Sequence, residues 1–266
     1  MYLLGFIGTG NMGGALARAA RAATAPEQIV LANRTASKAQ ALAQELGCAA
    51  DTAQTVARQA KYMFLGVKPK DMAGCLAAIA PALAERQDRF VLVSMAAGLD
   101  TQAIQTMAGA SWPVIRLCPN TPVAVGKGLV AWCAKDVQPD DAAALMAAMA
   151  GAGQWDECPE GLMDIASVLG GCTPAFAYMF IEALSDGAVA CGMPRAKALA
   201  YAAAAVEGAG ALARRSGEHP GALKDAVCSP GGSTIQGVRA LETAGFRAAA
   251  MNAVIAAYEK TLELGK

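Results

Sequence analysis

The chain has 266 residues, 55% of them hydrophobic and 17% charged, so it can bury a sizeable core as one large domain or two ordinary ones and does not read as disordered. Lys plus Arg balance Asp plus Glu at 22 each and no basic cluster stands out, which argues against nucleic acid or an anionic membrane as the main partner. So few charges cover a monomer's surface poorly, and apolar area is expected at a subunit interface.

The first apolar run, YLLGFI (2–7), predicts a strand, and Gly8 begins a turn into a helix over about 12–23. QIVLAN (28–33) predicts a second buried strand, followed by a helix over 36–46. YMFLGV (62–67) and RFVLVSM (89–95) are further strands, with a helix at 70–86 between them. A helix near 100–108 leads to the strand PVIRLC (113–118). Short apolar strands alternating with helices of three or four turns mean crossover units and a parallel sheet. GLVAWC (128–133) and QWDEC (154–158) read as additions at one edge, with a helix at 139–150 between them. After Gly161 no convincing strand remains. Ala-rich helical patterns cover about 161–190, 194–215, 220–227, 233–243 and 245–263, with a kink or break expected at Pro174. The pattern predicts an α/β dinucleotide-binding domain over 1–160, a Rossmann-like doubly wound sheet, and an all-α domain over 161–266.

The eight cysteines form no C-x-x-C pair and His219 is the single histidine, which disfavours a metal site. The cysteines fall mostly in apolar runs and read as small buried hydrophobes of a reducing, cytoplasmic compartment. The N-terminus lacks a basic region and a cleavage site, so no signal peptide is expected. Charged residues interrupt the apolar helical stretches often enough that no membrane span is expected either.

GFIGTGNMGG places Gly8, Gly10 and Gly13 as G-x-G-x-x-G directly after a strand, with Asn11 and Met12 opening a helix. The first glycine permits the tight turn, the second lets backbone approach a pyrophosphate, and the third lets helix and strand pack closely. The helix N-terminus offers free N–H groups to the anion. The plain alternative is a packing turn without a ligand. The second strand ends in Asn33, Arg34 and Thr35 with no carboxylate for a ribose 2′-hydroxyl. Arg34 can pair a 2′-phosphate through its planar fork, with Asn33 and Thr35 donating hydrogen bonds, which favours NADPH over NADH. The alternative is an ordinary solvated arginine. Val67 and Lys68 close the next strand, where Lys68 either reaches the cofactor or serves solubility. Ala96 and Ala97 close the one after, small enough for close backbone approach. In CPNTP (118–122), Asn120 sits in a loop stiffened by two prolines, which could line the nicotinamide pocket or simply lead to the edge strands.

SPGGSTIQG (229–237) is unusual in a helical half: a bare backbone loop at a helix N-terminus. Amides there can hold a carboxylate without a basic side chain. The plain alternative is a loop capped by Ser233.

The stretches GFIGTGNMG, NRT, VKP, SMAAG, IRLCPNTP, FIEALSDGAV, HPGALKDAVCSPGGSTIQGVRALE and GFRAA, in this order, resemble the pyrroline-5-carboxylate reductase family across nearly the whole chain. The resemblance implies reduction of Δ1-pyrroline-5-carboxylate to proline by hydride transfer from NADPH, with NADH as the alternative donor, in the last step of proline biosynthesis. It implies an interlocked dimer through the C-terminal helices, often assembled into a decamer. It implies that Gly232, Ser233 and Thr234 hold the substrate carboxylate through their N–H groups, with Ser229 nearby. Thr234 is then the catalytic candidate, its hydroxyl near the imine nitrogen. His219 is the side-chain candidate for a proton donor, with solvent as the alternative.

The resemblance has one departure. LGGCTPAF (169–176) carries Thr173 where the family has a small glycine and Phe176 where it has a tyrosine. That keeps a six-membered cyclic imino acid open as substrate. The β-hydroxyacid dehydrogenases fit less well, because that group relies on a lysine in its interdomain helix and 161–190 contains none. A non-catalytic NADPH sensor would need the glycine turn but not the loop at 229–237.

Overall fold

The computed structural model describes residues 1–264. The chain falls into two compact units, Met1–Gly171 together with the stretch from Tyr258, and Cys172–Ala257.

The first unit is built on strands β1 (Tyr2–Ile7), β2 (Ile29–Ala32), β3 (Ala49–Ala50), β4 (Ala60–Leu65), β5 (Val91–Ser94), β6 (Val114–Pro119), β7 (Gly128–Lys135) and β8 (Gly153–Glu157). Between them lie helices α1 (Asn11–Ala20), α2 (Ala36–Leu46), α3 (Ala53–Gln59), α4 (Met72–Ala84), α5 (Thr101–Ala108) and α6 (Pro139–Ala148). The strands form one sheet in the order β3-β2-β1-β4-β5-β6-β7-β8. Every pairing is parallel except β6 with β7. A short connection after β6 lets β7 return antiparallel, whereas the parallel β7–β8 pair needs the α6 crossover.

Alternation along the strands divides the core. Leu4, Phe6, Tyr62 and Phe64 face one side and pack with α1, α2 and α6; the Phe6 and Phe64 rings stack with centroids 4.5 Å apart. Ile7, Met63 and Leu65 face the other side and pack with α3, α4 and α5. A sheet covered by helices on both faces requires such two-sided apolar strands. The sequence pattern passed over β3 and α3. Two alanines carry no strand signal, and α3 is announced only by Thr52, whose side chain accepts the Thr55 N–H as its N-cap.

The helical part of the chain comprises α7 (Met163–Ala190), α8 (Arg195–Ser216), α9 (Pro220–Ala226), α10 (Ser233–Thr243) and α11 (Phe246–Leu264). The break expected at Pro174 is not observed; α7 is assigned as helix without interruption from end to end. With the turn before it, α7 also departs from the expectation that charge excludes a membrane span. Among the described residues, Glu160–Ala190 is long and apolar enough to cross one by length and composition. Its acids, Glu160, Asp164, Glu182 and Asp186, leave 165–181 without a charge.

Within the second unit, the buried side chains are those of Ser185, Ala198 and Ala202, while Tyr178, Met179, Tyr201 and Met251 are each more than half exposed. The cysteines are all unpaired, but they are not uniformly buried as expected. Cys133, inside β7, is buried, whereas Cys191, in the turn just past α7, is exposed.

Candidate functional site

The loops at the carboxyl ends of β2, β1, β4, β5 and β6 lie along one edge of the sheet, and they carry the residues singled out for a dinucleotide. The strand order reverses between β1 and β4, where such sheets form their ligand crevice.

Gly8 leaves β1 with φ +100°, a conformation that side chains rarely adopt, and its N–H donates to the Ala32 carbonyl at 2.8 Å. A Cβ on Gly13 or on Gly66 would collide with the Gly8 carbonyl oxygen. Gly10 is the N-cap of α1 without a side-chain cap, and a Cβ there would meet nothing within 4 Å. The amides of Asn11, Met12 and Gly13 therefore open the helix without intrahelical acceptors. In the same turn the Thr9 hydroxyl is buried with no partner among the described residues.

At the end of β2, the Asn33 side chain accepts the Thr9 N–H and donates to the Thr35 carbonyl at 3.2 Å. Arg34 is exposed and pairs with no carboxylate among the described residues. A cleft of about 440 Å³ lies here, lined by Ile7, Asn33, Arg34, Gln40, Asp51 and Thr52 among others. The clear space over Gly10, the uncapped helix and the uncommitted Arg34 fit a dinucleotide carrying an extra phosphate.

Val67 and Lys68 follow β4, with Lys68 capping the short turn Pro69–Asp71. After β5, Ala96 is buried while Ala97 is exposed. After β6, Asn120 is 8% exposed and both ends of its carboxamide are engaged. Its Nδ2 donates to the Gly170 carbonyl at 3.2 Å, and its Oδ1 accepts the Leu129 N–H at 3.0 Å.

The pattern missed a charged hub beside this edge. Arg116 is buried in β6, where its guanidinium donates to Asp164 at 2.5 Å and lies 3.7 Å from Glu160. Glu160 accepts both the N–H of Thr101, the first residue of α5, at 2.8 Å and its hydroxyl at 2.6 Å. A single arginine inside an apolar strand was the available signal. Nearby, burial, followed by the Glu160 charge, pushes the Cys133 thiol up to about 12; burial also pushes Cys118 up to about 11.

In the second unit, the turn before α10 is shaped by Gly231 at φ +72°. Gly232, not Ser233, is the N-cap, and a Cβ on it would collide with the Ser229 hydroxyl. Its N–H donates to the Ser229 carbonyl at 3.1 Å, so the outward amides of the turn begin with Ser233 and Thr234, the first two residues of α10. His219 is the N-cap of the seven-residue α9: its Nδ1 accepts the Gly221 N–H at 3.0 Å, which puts the ring proton on Nε2.

Residues 160–264 match a family model described as pyrroline-5-carboxylate reductase dimerisation, and residues 3–98 match one described as NADP oxidoreductase, coenzyme F420-dependent. The pyrroline-5-carboxylate reductase of Escherichia coli K12 is 40% identical over 267 residues, 99% of this chain and 98% of that protein. The pea (Pisum sativum) reductase of the same name is 36% identical, across 99% of this chain and 96% of its own length. The solved structure of a Plasmodium falciparum pyrroline carboxylate reductase with NADP bound aligns with a TM-score of 0.87 at 30% identity, covering all of this chain and 98% of that one.

Proposed function

The chain belongs to the pyrroline-5-carboxylate reductase family, and from that premise we propose how its own residues reduce Δ1-pyrroline-5-carboxylate to proline with NADPH. NADPH supplies the hydride. The amides of Asn11, Met12 and Gly13 receive the pyrophosphate, and the missing side chain at Gly10 leaves room for it. Arg34 pairs the 2′-phosphate, with Thr35 beside it and Asn33 holding the turn in shape. Val67 and Lys68 border the middle of the cofactor. Ala96, Ala97 and Asn120 flank its nicotinamide end.

The substrate is a small ring with one carboxylate and one imine. Amides at the start of α10 hold the carboxylate, chiefly those of Ser233 and Thr234, with Gly232 and Ser229 forming the turn beneath them. The Thr234 hydroxyl hydrogen-bonds the ring nitrogen as it gains amine character. An iminium carbon is already electrophilic, so most of the acceleration comes from orientation. His219 is committed through Nδ1 to its helix cap and leaves only Nε2–H to donate, which favours solvent as the proton source.

Residues 161–266 act as the substrate and pairing domain, and residues 1–160 as the cofactor domain. Two copies pair through the C-terminal helices: the second unit buries few of its own side chains, and the matching model there is a dimerisation model. The pairs assemble further into a decamer, and a reducing cytoplasm suits eight unpaired cysteines.

The observation that carries the reading is the uncapped amide turn at Gly232–Thr234 in a chain similar to these reductases from end to end. The test is NADPH and NADH oxidation with five- and six-membered cyclic imino acids. Oxidation with the five-membered imine and NADPH is expected. No turnover with it overturns the reading, and preference for the six-membered ring would assign Thr173 a role in substrate choice.

A further inference from the structure

Proline has no amide hydrogen, so Pro174 leaves the carbonyl four residues earlier, that of Gly170, without its helical donor. The helix is nevertheless assigned as continuous there. The donor comes from outside the helix: Asn120 Nδ2 reaches the Gly170 oxygen at 3.2 Å, and the bond is buried. The Leu129 side chain lies 3.6 Å from where a Cβ on Gly170 would stand, covering the same point. Leu129 also gives its own N–H to the other end of the Asn120 carboxamide at 3.0 Å. Asn120 is, in addition, the N-cap residue of the short turn Thr121–Val125, and Pro119 and Pro122 stiffen that stretch. One side chain thus joins three backbone segments: the end of β6, the start of β7 and the carbonyl orphaned by Pro174.

We propose that Asn120 is a positioning residue for hydride transfer, which fixes the loop after β6 by acting as the donor that Pro174 withholds from Gly170. The inference rests on the reading above, in which that loop borders the nicotinamide end of the cofactor. Its side chain acts on the reaction through the loop and not by touching the cofactor.

The test is a double-mutant cycle on the full-length protein with Asn120→Ala, Pro174→Ala and their combination. Pro174→Ala restores an N–H at the correct spacing for Gly170. Leaving a buried carbonyl unpaired has an effect on the order of five- to a hundredfold on an equilibrium. Asn120→Ala is expected to lower kcat about tenfold while the Kd for NADPH, held from β1 and β2, stays within about twofold. Adding Pro174→Ala is expected to recover part of the lost Tm, because Gly170 regains a donor, while kcat stays low, because the loop after β6 remains untied. Additive losses in Tm overturn the proposal, as does an unchanged kcat in Asn120→Ala. A Kd for NADPH that weakens as much as kcat falls would make Asn120 a cofactor ligand instead. Should Asn120→Ala fail to fold, Asn120→Asp keeps the acceptor for Leu129 and runs the same cycle. If the wild-type protein does not turn over the imine, the functional reading fails by itself. The four melting curves then still decide the pairing of Asn120 with Pro174, coupling supporting it and additivity refuting it.

Discussion

The side-chain oxygen of Asn33 accepts the backbone N–H of Thr9 at 3.1 Å, across the gap between the ends of β2 and β1. One carboxamide thereby ties the glycine turn to the turn that carries Arg34. A hydrogen bond of this kind contributes about 1 kcal/mol, so Asn33→Ala is expected to weaken NADPH and NADH alike by about fivefold. Asn33→Asp keeps an acceptor for Thr9 but places negative charge beside the 2′-phosphate. It is expected to weaken NADPH at least about tenfold and NADH much less. Fluorescence titration with both dinucleotides reads the difference; equal weakening by the aspartate would refute it.

Arg34 carries an uncommitted charge at the mouth of the cleft. Arg34→Ala is expected to remove about 1.5–3 kcal/mol of charge-assisted binding to a phosphate, roughly ten- to a hundredfold in the Kd for NADPH. NADH affinity should hardly move. A variant that keeps its preference, or a wild-type ratio near one, would contradict the assignment.

Thr234 is the second residue of α10, just inside the uncapped turn. Thr234→Ala is expected to lower kcat/KM with pyrroline-5-carboxylate at least about tenfold, the loss of one hydrogen bond made in the transition state. Proline, as product, should raise the Tm of the NADP complex when present in the millimolar range. Unchanged kinetics would remove the hydroxyl from the mechanism, and calorimetry without proline binding would remove the carboxylate from the turn.

The Cys133 thiol stands in β7 with its pKa raised from an ordinary 9.0 to about 12, chiefly by burial. The protonated form is the one the fold favours. Below pH 9 both folded and unfolded chains hold the proton, and this stabilisation is complete. Above pH 9 the unfolded chain ionises first and stability falls until about pH 12. Cys75 and Cys118, each raised to about 11 by burial, add to the same trend. Native mass spectrometry after iodoacetamide treatment at pH 8 should find these three thiols unmodified until denaturant is added. Rapid alkylation of the folded protein would show that they are reachable.

Much of the nucleotide edge was legible because its signals are local. Gly8, Gly10 and Gly13 lie within one turn of chain, and the change from apolar run to helix surrounds them. The same holds for Asn33–Thr35 and for the loop before α10, although Gly232 and not Ser233 supplies the cap there. What escaped is what only folding brings together. Arg116 meets Asp164 and Glu160 across more than forty residues of chain, and nothing in VIRLC names those partners. Asn120 was visible as a polar residue between prolines. Its partner is a main-chain carbonyl, and every residue has one, so no pattern of side chains could mark it. The helix runs on through Pro174 past the expected break, and the donor that reaches Gly170 comes from a distant strand end.

Gly8, Gly13 and Gly66 press on one another so closely that a methyl group on either of the last two would strike the carbonyl oxygen of the first. They come from two separate stretches of chain, yet they have a common fate under mutation. A change at one cannot be absorbed by the others, since none has a side chain left to shrink. Relief would have to come from moving β1, α1 or β4, each of which anchors part of the core. Directed evolution of this protein toward other cofactors is therefore channelled into the rim at Arg34, whose exposed side chain can be exchanged without shifting the scaffold.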